Sequence, residues 1–537
     1  MRYLRVLLLM TMGLLLGCAS EKVIDGSYRN PMIYADVPDM SVIRVGEYYY
    51  MVSTTMHLMP GAPVMRSKDL VNWETVSYLF DKLTDHERYD LKNGTVYGKG
   101  QWATSIRYNN GKFYALFSPN DVPYKSYFYT TDDPAKGWTL VSRMQHFHDA
   151  SLFFDDDGKV YVFYGTGELQ QIKSDLSDIE PNGVKMRLFE KDNEERGLLE
   201  GSQVFKHNGK YYLMMISWPP GKVRREVCYR ADKITGPYEK KVILETNFEN
   251  YGGVGQGCVV DSEDGNWYGV IFQDRGGVGR VPTVMPCKWV DGWPILGDEN
   301  GNVGSIMQKK LVLDKNCKGI LGSDDFSDKK LSLYWQWNHN PIDEAWSLSE
   351  RKGHLRLKTA RKVDNLFVAP NTITQRMEGP KCSARVKIDL SSMKDGDVAG
   401  FSAFNDYSGV LAVEMSGGEK SLTMSAQNAI FERGRNHGIQ RVEVEEHGRV
   451  KLSQDVIYLR IDGDFTNRQD KASFYYSLDN KEWKEFGKSI RMRFDFMKFF
   501  MGTKYAIFNY STKETGGYID VDYIDYQRSN DRVITNK

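Results

Sequence analysis

The stretch DASLFFDDDGKVYVFY (149–164) contains a pattern that recurs through the first half of the chain. A small residue is followed by an alternating apolar strand, a glycine turn, and a second strand rich in Tyr or Trp. A repeat of about 50 residues built from short strands is typical of a β-propeller, with one blade per copy. The pattern therefore predicts a five-bladed propeller over residues 30–296. The other copies are DMSVIRVGEYYYMV (39–52), ATSIRYNNGKFYALF (103–117), EGSQVFKHNGKYYLMM (200–215) and QGCVVDSEDGNWYGVI (256–271).

One position in the repeat carries acids in three of the five copies. It lies two residues before the small residue and holds Asp39, Ala103, Asp149, Glu200 and Gln256. Equivalent positions near the start of the innermost strands converge on the axis of a propeller, so these carboxyl groups are candidates for a catalytic constellation. The alternative is that Asp and Glu precede strands only because turns favour them.

The composition fits a globular protein of two domains. The chain has 537 residues, of which 41% are hydrophobic and 26% charged, and this length exceeds that of one ordinary core. Lys and Arg together number 71, as do Asp and Glu. A net charge of zero offers no basic field, so a nucleic-acid partner is not expected.

The N-terminus has the features of a lipoprotein signal peptide over residues 1–18. Arg2 and Arg5 precede an apolar run, Val6–Leu16, that is too short to span a bilayer. The run ends in Leu-Leu-Gly-Cys-Ala-Ser, which resembles the bacterial lipobox and marks Cys18 for lipidation. We therefore expect a membrane-anchored lipoprotein of a Gram-negative bacterium, facing the periplasm. An ordinary signal peptide that contains Cys is the alternative.

The second half of the chain has a different pattern of apolar and polar residues. Segments such as SARVKIDL (383–390) and VIYLRIDG (456–463) alternate apolar and polar residues, which predicts strands with one wet face and hence a β-sandwich over residues 323–530. Residues 297–322, rich in Gly, Asp and Asn, are interpreted as a connector. No CxxC pair occurs, so a disulfide framework or a zinc site is not expected. The fold class predicted for the mature chain is all-β.

Four phrases taken in order resemble glycoside hydrolase family 43. They are Asn30-Pro31 with Asp39 and SVIRVGEYYY, HDASLFFDDDGKVY (148–161), EGSQVFKHNGKYY (200–212) and GR…KWVDGWP (279–294). The segments DDFSDKKLSLYWQWNHNP (324–341) and GGYIDVDYIDY (516–526) resemble the concanavalin-like sandwich that follows the propeller in that family's xylosidases and arabinofuranosidases. The resemblance covers nearly the whole mature chain.

The resemblance implies an inverting mechanism with a role for each acid. Asp39 matches the general base that activates water, and Glu200 matches the general acid that protonates the leaving oxygen. Asp149 matches the third acid, which orients the general acid and raises its pKa. Inversion requires two carboxyl groups about 6.5–9.5 Å apart, with room for water between them. Blades that face each other across an axis can provide that gap.

The resemblance also suggests which residues of this chain line the substrate pocket and which could bind a metal ion. Arg280 and Trp102 match substrate-binding residues, and His57 is a candidate for the pocket wall. Many family members have an axial His that helps to hold calcium, whereas this chain has Gln256, a neutral and weaker ligand. A structural calcium between acids such as Asp325 and Asp522 is a further expectation. No cofactor is expected for the chemistry itself.

The expected activity is removal of terminal α-L-arabinofuranosyl units from plant cell-wall oligosaccharides. The phrases ADVPDMSVIRVG (35–46) and STTMHLMPG (53–61) favour the arabinofuranosidase type. A β-D-xylosidase, or an enzyme with both activities, is the alternative, and a carbohydrate-binding lipoprotein without catalysis is a third. A sialidase-type propeller would require SxDxGxTW boxes, which the sequence lacks. The aromatic stretch 334–337, with Asn338-His339-Asn340, is expected at an interface where the sandwich packs on the propeller and closes the pocket.

Overall fold

The computed structural model describes residues 22–313, 316–432, 438–528 and 533–534. These residues form strands and short 3₁₀ helices and contain no α-helix. No helix among them is long and apolar enough to cross a membrane. The predicted signal peptide and Cys18 lie outside the described residues, so the lipid anchor stays a prediction. The 3₁₀ helices are Glu87–Asp90, Asn193–Glu195, Gly276–Val278, Asp343–Ala345, Leu366–Val368 and Thr466–Arg468.

The first half of the chain forms five four-stranded antiparallel sheets, which confirms the predicted five-bladed propeller. In each blade the innermost strand begins within two residues of the acid position, and the first hairpin turns at the opposite end of that strand. Blade 1 has the order β2-β3-β5-β6, and blades 2 to 5 follow as β7–β10, β11–β14, β15–β18 and β19–β22. The strands are β1 (Lys22–Arg29), β2 (Ser41–Val45), β3 (Tyr48–Val52), β4 (Leu58–Met59), β5 (Gly61–Ser67), β6 (Glu74–Phe80), β7 (Gln101–Asn109), β8 (Lys112–Pro119), β9 (Lys125–Thr131), β10 (Thr139–Gln145), β11 (Ser151–Phe154), β12 (Val160–Tyr164), β13 (Glu168–Ile172), β14 (Lys185–Arg187), β15 (Leu198–His207), β16 (Lys210–Trp218), β17 (Arg225–Ala231), β18 (Glu239–Leu244), β19 (Gly257–Asp261), β20 (Trp267–Asp274), β21 (Arg280–Val290) and β22 (Trp293–Leu296).

The small residue of each repeat has a structural reason. In four of the five blades its side chain accepts a hydrogen bond from a backbone N–H of a neighbouring blade, so those innermost strands are joined around the axis; Ser202 Oγ of blade 4 has no such partner. Because Ser and Cys are short, the strands can approach the axis closely while the side chains of Ser41, Ser105, Ser151 and Cys258 stay hydrogen-bonded. The bonds run from Ile106 N to Ser41 Oγ (3.4 Å), Leu152 N to Ser105 Oγ (3.1 Å), Val204 N to Ser151 Oγ (3.0 Å) and Val42 N to Cys258 Sγ (3.3 Å).

The second half forms a sandwich of two large antiparallel sheets. One sheet has the order β32-β31-β30-β29-β37-β27-β24-β4, and the other has the order β25-β26-β38-β28-β33-β34-β35, with β36 also paired to β34. Alternate residues of the long strands point into the core between the sheets, as along Val456–Asp464. The strands are β23 (Ile306–Leu313), β24 (Gln336–Asn338), β25 (Trp346–Ser347), β26 (Leu355–Lys358), β27 (Ile373–Arg376), β28 (Lys381–Asp389), β29 (Asp397–Phe404), β30 (Tyr407–Ser416), β31 (Glu419–Phe431), β32 (Ile439–Leu452), β33 (Val456–Asp464), β34 (Lys471–Ser477), β35 (Lys484–Glu485), β36 (Ile490–Arg491), β37 (Lys504–Ser511), β38 (Tyr518–Arg528) and β39 (Val533–Ile534).

The two domains share backbone hydrogen bonding. Strand β4 leaves blade 1 and adds to the edge of the first sandwich sheet, where Met59 pairs with Trp337. The N–H of His339 donates to the carbonyl of His57 at 3.1 Å. The predicted interface around residues 334–340 is therefore confirmed. Within the stretch interpreted as a connector, β23 forms a further strand that pairs with β1 along its whole length.

Asp36 anchors the sandwich to the propeller. Its carboxylate accepts bonds from the N–H groups of Arg280 and Gly502, both at 2.9 Å, and from Lys504 Nζ at 3.2 Å. Burial would raise the pKa of Asp36, but Lys504, Arg280 and the two N–H groups outweigh burial and hold the pKa below its usual value. The carboxylate is therefore ionised at neutral pH and ties β37 and its preceding loop to the propeller.

We expect Asp36→Asn to lower the free energy of unfolding by about 3–5 kcal/mol, because Lys504 would be left buried without its anion. Chemical denaturation at neutral pH measures this loss. The matched control is Asp522→Asn, which breaks the Lys387 pair at 2.6 Å, whose side chains are 33% and 31% exposed. Exposed pairs contribute about 0.2–1 kcal/mol, and equal losses for the two variants would contradict the anchoring role.

The sign of the pH dependence follows from the lowered pKa of Asp36. The stabilisation is fully present above the ordinary pKa of an aspartate and is lost as the pH falls through the lower pKa of the folded state. In Asp36→Asn this contribution is missing, so the difference in stability between the wild type and the variant should shrink as the solution is acidified through that range.

Candidate active site

The acid position of the repeat has left-handed backbone geometry in blades 1, 3 and 5. Asp39 and Asp149 have φ values of 54° and 45°, and Gln256 has a φ of 73°. In blade 4 the left-handed residue is Gly201, with a φ of 72°, and a bulge follows Glu200. Non-glycine residues occupy this region at a cost, which is common where side chains must be aimed at a functional site.

Asp39, just before the innermost strand of blade 1, and Arg280, the first residue of β21 in blade 5, form a buried ion pair. Arg280 Nη1 lies 3.0 Å from Asp39 Oδ1 and 3.2 Å from Oδ2. Burial raises the pKa of Asp39, Glu200 and Asp36 add to that effect, and Arg280 opposes it. The guanidinium therefore favours the ionised carboxylate, and Arg280, predicted to contact substrate, lies directly against the candidate base.

Asp149, Glu200 and His148 form a second charged group in blades 3 and 4. One ligand-type atom from each of the three lies within 4.8 Å of the others. His148 Nε2 is 3.2 Å from Glu200 Oε2 and 4.0 Å from Asp149 Oδ2. The Glu200 side chain is 27% exposed, whereas that of Asp149 is 6% exposed, so Glu200 is the carboxyl group that an entering molecule can reach.

Charges and burial within this group shift the pKa values of His148 and Asp149. Asp149, Glu200 and Asp39 raise the pKa of His148 to about 9, against the effect of burial. Burial raises the pKa of Asp149 to about 7, with further increases from Glu200 and Asp39 and opposing effects from His148 and Arg280. At neutral pH the imidazolium is charged while Asp149 is partly protonated. Asp149 thus retains part of a proton near neutral pH.

A loop of the sandwich covers the pocket, as expected from the resemblance. Residues 492–503, called here the sandwich loop, place Phe500 against Arg280, whose Cζ lies 4.2 Å from the ring centroid. Arg280 Nη2 donates to the Phe500 carbonyl at 3.3 Å. The Trp102 ring lies 5.7 Å from Phe500 and 6.0 Å from His148, so Trp102 lies between the sandwich loop and the candidate acid, and its contact with substrate stays a prediction.

His57 does not lie in the pocket wall as predicted. It is 1% exposed, and its ring packs against Tyr97, His339 and Phe499 at 4.6–5.3 Å between centroids. Burial, with a smaller effect from Lys504, lowers the pKa of His57 to about 3, so the ring is neutral at physiological pH. Its position corrects the predicted substrate contact, because the loop after the first hairpin turns towards the sandwich and buries His57 between the domains.

The residues at the axial position do not provide a calcium donor set. The N–H of Gln256 donates to Glu226 Oε2 at 2.9 Å, and burial raises the pKa of Glu226 to about 8, so this carboxyl group is largely neutral at pH 7. Arg107 of blade 2 donates to Ser41 of blade 1 at 3.2 Å and to the Val204 carbonyl of blade 4 at 3.1 Å. A guanidinium on the axis and a neutral acid disfavour a bound dication.

The acids suggested for calcium in the sandwich are engaged elsewhere. Asp522 pairs with Lys387 at 2.6 Å, and Asp325 accepts from the N–H and the hydroxyl of Ser327 at 3.0 and 2.6 Å. Within the described ranges, His148, Asp149 and Glu200 form the one group of three or more His, Cys, Asp or Glu side chains close enough to share an ion. A structural calcium in the sandwich therefore stays a prediction without a located site.

Sequence reasoning missed three residues of the site. His148 directly precedes Asp149 within a quoted motif, and that adjacency was the available signal. Phe500 lies in the aromatic-rich segment RFDFMKFFMG (493–502), which fits no strand period. Asp36 belongs to the phrase ADVPD (35–39) but precedes the repeat, so the periodicity gave it no role.

Comparisons with known proteins match both halves of the chain. The model of Glycosyl hydrolases family 43 matches residues 28–294, and that of the Beta xylosidase C-terminal Concanavalin A-like domain matches residues 323–527. The β-xylosidase of Formosa agariphila is 29% identical over 94% of this chain and 90% of its own length. The non-reducing end α-L-arabinofuranosidase BoGH43B of Bacteroides ovatus is 28% identical over 73% of this chain and 76% of its own.

A solved structure extends the comparison to the arrangement of the domains. A bifunctional GH43-CE protein of Bacteroides eggerthii superposes with a TM-score of 0.86 at 42% identity, over 95% of this chain and 64% of that one. The chain thus spans less than two thirds of that relative. Taken together, the fold and the matches define a glycoside hydrolase with a propeller and a following β-sandwich. The protein belongs to glycosyl hydrolases family 43.

We expect His148→Asn to move the alkaline limb of the kcat/KM profile to higher pH by about 1 unit. His148 lowers the pKa of Asp149, so removing its positive charge lets the carboxyl group retain its proton to higher pH. Initial rates on an oligosaccharide, whose leaving oxygen requires a proton, measured across pH 4–10 test this shift. The control is His207→Asn, in a hairpin at the far end of the propeller, where the ring stacks on Trp289. A shift to lower pH, or an equal shift in the control, would show that the charge of His148 does not govern the limb.

Proposed function

We propose that the protein is an inverting exo-glycosidase that releases terminal α-L-arabinofuranosyl units from plant cell-wall oligosaccharides. A β-D-xylosidase, alone or combined with this activity, is the second candidate, since a β-xylosidase is among the relatives. The observation that carries the proposal is the convergence of Asp39, Asp149 and Glu200, from three blades, on one covered pocket. Left-handed backbone at Asp39 and Asp149, a geometry common where side chains are aimed at a functional site, supports a catalytic role.

In the proposed reaction, Asp39 acts as the general base. Arg280 contacts both of its oxygens and favours the carboxylate form. Asp39 removes a proton from water as the water oxygen forms a bond to the anomeric carbon. The bond between that carbon and the glycosidic oxygen breaks on the opposite face of the sugar, which inverts the configuration.

Glu200 acts as the general acid and gives its proton to the departing oxygen. It is the more exposed carboxyl group of the pair with Asp149, so the leaving group can reach it. Asp149, with a pKa raised to about 7, is a buried neighbour that competes for the same proton. The charge of Glu200 is one of the causes that raise the pKa of Asp149, so a proton is held beside the candidate acid near neutral pH.

The cover over the pocket supports removal of single sugars. Phe500 contacts Arg280 and Trp102 at the mouth, which restricts the space around the bound unit. The relatives include both a β-xylosidase and an α-L-arabinofuranosidase, and the two sugars can superpose their hydroxyl groups. The phrases around Asp39 and His57 are the reason for placing arabinofuranose first. The lipid anchor at Cys18 would hold the enzyme at the periplasmic face of a membrane.

We expect Asp39→Asn and Glu200→Gln each to lower kcat on oligosaccharides by about 10²–10⁴. The two variants should differ on an activated aryl glycoside, whose leaving group needs no proton. There Glu200→Gln should recover much of its rate, whereas Asp39→Asn should stay low because water activation is still required. Initial rates on the two substrate types give this comparison.

The control for these variants is Asp157→Asn, which changes an exposed turn carboxylate paired with Lys159. It should behave as the wild type, and circular dichroism should show that all variants are folded. If Asp39→Asn or Glu200→Gln retained near wild-type turnover on an oligosaccharide, its assigned role would be wrong.

The choice of sugar is tested by assaying 4-nitrophenyl α-L-arabinofuranoside and β-D-xyloside in parallel. The proposal expects a higher kcat/KM for the arabinofuranoside. A higher value for the xyloside would support the second candidate. Proton NMR of the first product formed checks the stereochemistry: retained configuration would exclude the single-step mechanism, because an inverting site places water opposite the leaving group.

A further inference from the structure

The end of the propeller axis opposite the candidate active site contains a cavity of about 340 Å³, called here the axial cavity. All five blades contribute to its lining, through their innermost strands and the hairpins that follow them. The carboxyl groups of Asp39, Asp149 and Glu200 lie at the other ends of these strands. The residues of the axial cavity therefore take no part in the proposed reaction.

Arg107 extends from blade 2 into the axial cavity and joins the innermost strands of three other blades. Its Nη1 donates to Ser41 Oγ at 3.2 Å and to the Ile106 carbonyl at 2.6 Å. Its Nη2 donates to Ser151 Oγ at 2.5 Å and to the Val204 carbonyl at 3.1 Å. Because Ser41, Ser151 and Val204 belong to blades 1, 3 and 4, the guanidinium group lies close to the axis.

The charge of Arg107 has no counter-ion among the described residues. Its four hydrogen-bond acceptors are hydroxyl and carbonyl oxygens, all of them uncharged. Burial lowers the pKa of Arg107 to about 10, and the one group that opposes this effect is the thiol of Cys258. The guanidinium is therefore charged at neutral pH, and this charge is not balanced by a carboxylate.

Other cations that line the axial cavity are paired with acids. Arg44 Nη2 lies 2.5 Å from Asp261 Oδ2, and Lys206 Nζ lies 2.8 Å from Asp155 Oδ1. These pairs are near the rim, where the Asp261 side chain is 40% exposed. Arg107 differs from them because it is deeper in the cavity and has only neutral partners. An unbalanced charge that is partly removed from water is costly, and an anion offsets that cost.

Two donors beside this charge are available to an anion. Arg107 Nε–H makes no hydrogen bond with the described residues, and its nitrogen is accessible from the cavity. Gln203 accepts from Ser41 Oγ through Oε1 at 3.2 Å, so its Nε2–H₂ group is without a partner in the described part of the chain and is also accessible. Both side chains contact the same Ser41 hydroxyl, which places the two donors side by side.

The rest of the lining strengthens the attraction for an anion. Apolar side chains such as Val42, Phe154, Val259 and Trp267 surround the two donors. Apolar walls screen charge less than water does, so hydrogen bonds from a charged donor are stronger there. The lining thus combines one positive charge, two free donors and an environment of low polarity.

We propose that the axial cavity binds a small monovalent anion, a halide or a carboxylate, held by Arg107 Nε and Gln203 Nε2. One unbalanced guanidinium offsets one negative charge, which favours a monovalent anion over sulfate. The bound anion balances Arg107 while the guanidinium keeps its bonds to Ser41, Ser151 and Val204. The site stabilises the propeller and is independent of the sugar that the enzyme releases.

The direct test is anomalous diffraction from crystals of the wild-type protein soaked in sodium bromide. We expect a bromide peak in the axial cavity within hydrogen-bond reach of Arg107 Nε and Gln203 Nε2. A second soak adds excess sodium formate: loss of the peak would show that a carboxylate takes the same site, and its persistence would show that the site prefers a halide. If neither bromide nor formate occupies the cavity, and bromide is found as an adventitious ion only at the molecular surface, the proposal is overturned.

The second test supplies the anion from the chain itself. In Gln203→Glu the new carboxylate lies beside Arg107, where it takes the place of the bound anion. The wild type should show a saturable rise in Tm of roughly 2 °C between about 1 and 200 mM sodium chloride, since ligand that binds the folded state raises Tm. Gln203→Glu should lose this saturable rise.

The matched control is Gln308→Glu, which makes the same change at an exposed position of β23. It should respond to chloride as the wild type does. If Gln203→Glu also keeps the wild-type response, chloride acts through a general salt effect and the site is wrong. Arg107→Met should abolish the response as well, and if that variant does not fold, the bromide experiment and Gln203→Glu still decide the question.

Discussion

Arg280 joins the candidate base to the rest of the molecule. Its side chain holds both oxygens of Asp39, its backbone N–H donates to Asp36, and its Nη2 donates to the carbonyl of Phe500. Asp36 in turn accepts from Gly502 and Lys504 of the sandwich. These groups form one buried chain of alternating charge. Because an uncompensated buried charge is costly, the arrangement holds only when both domains are in place.

The converging inner strands turn a sequence repeat into a shared pocket. Small residues just inside the acid position let neighbouring strands bond to one another around the axis, as from Val204 N to Ser151 Oγ. Three blades therefore present carboxyl groups to one volume, although Asp39 and Glu200 are far apart in sequence. Left-handed backbone at Asp39 and Asp149 aims these side chains away from the ordinary strand direction. The fold thus brings the carboxyl groups close together, and the left-handed backbone at Asp39 and Asp149 sets the direction of their side chains.

Burial gives the three acids different properties. Asp39 faces a guanidinium, which favours its charge, while Asp149 faces Glu200 and an imidazolium that it shares with Glu200. Burial raises the pKa of Asp149 to about 7, and nearby carboxyl groups raise the pKa of His148 to about 9. One side of the pocket is thereby suited to accepting a proton and the other to giving one, which is the division of work an inverting glycosidase requires.

The sequence alone was sufficient for the class of fold, because strand period, turn glycines and repeat spacing are local properties that survive without tertiary contacts. It also located the three acids, since a repeat places equivalent residues at equivalent points on the axis. The tertiary structure determined the contacts between distant residues, which a local sequence pattern does not encode. It placed His57 between the domains, put His148 against Glu200, and brought Phe500 to Arg280 across 220 residues. Those positions depend on how the sandwich packs on the propeller, and contacts between distant segments leave no period in the chain.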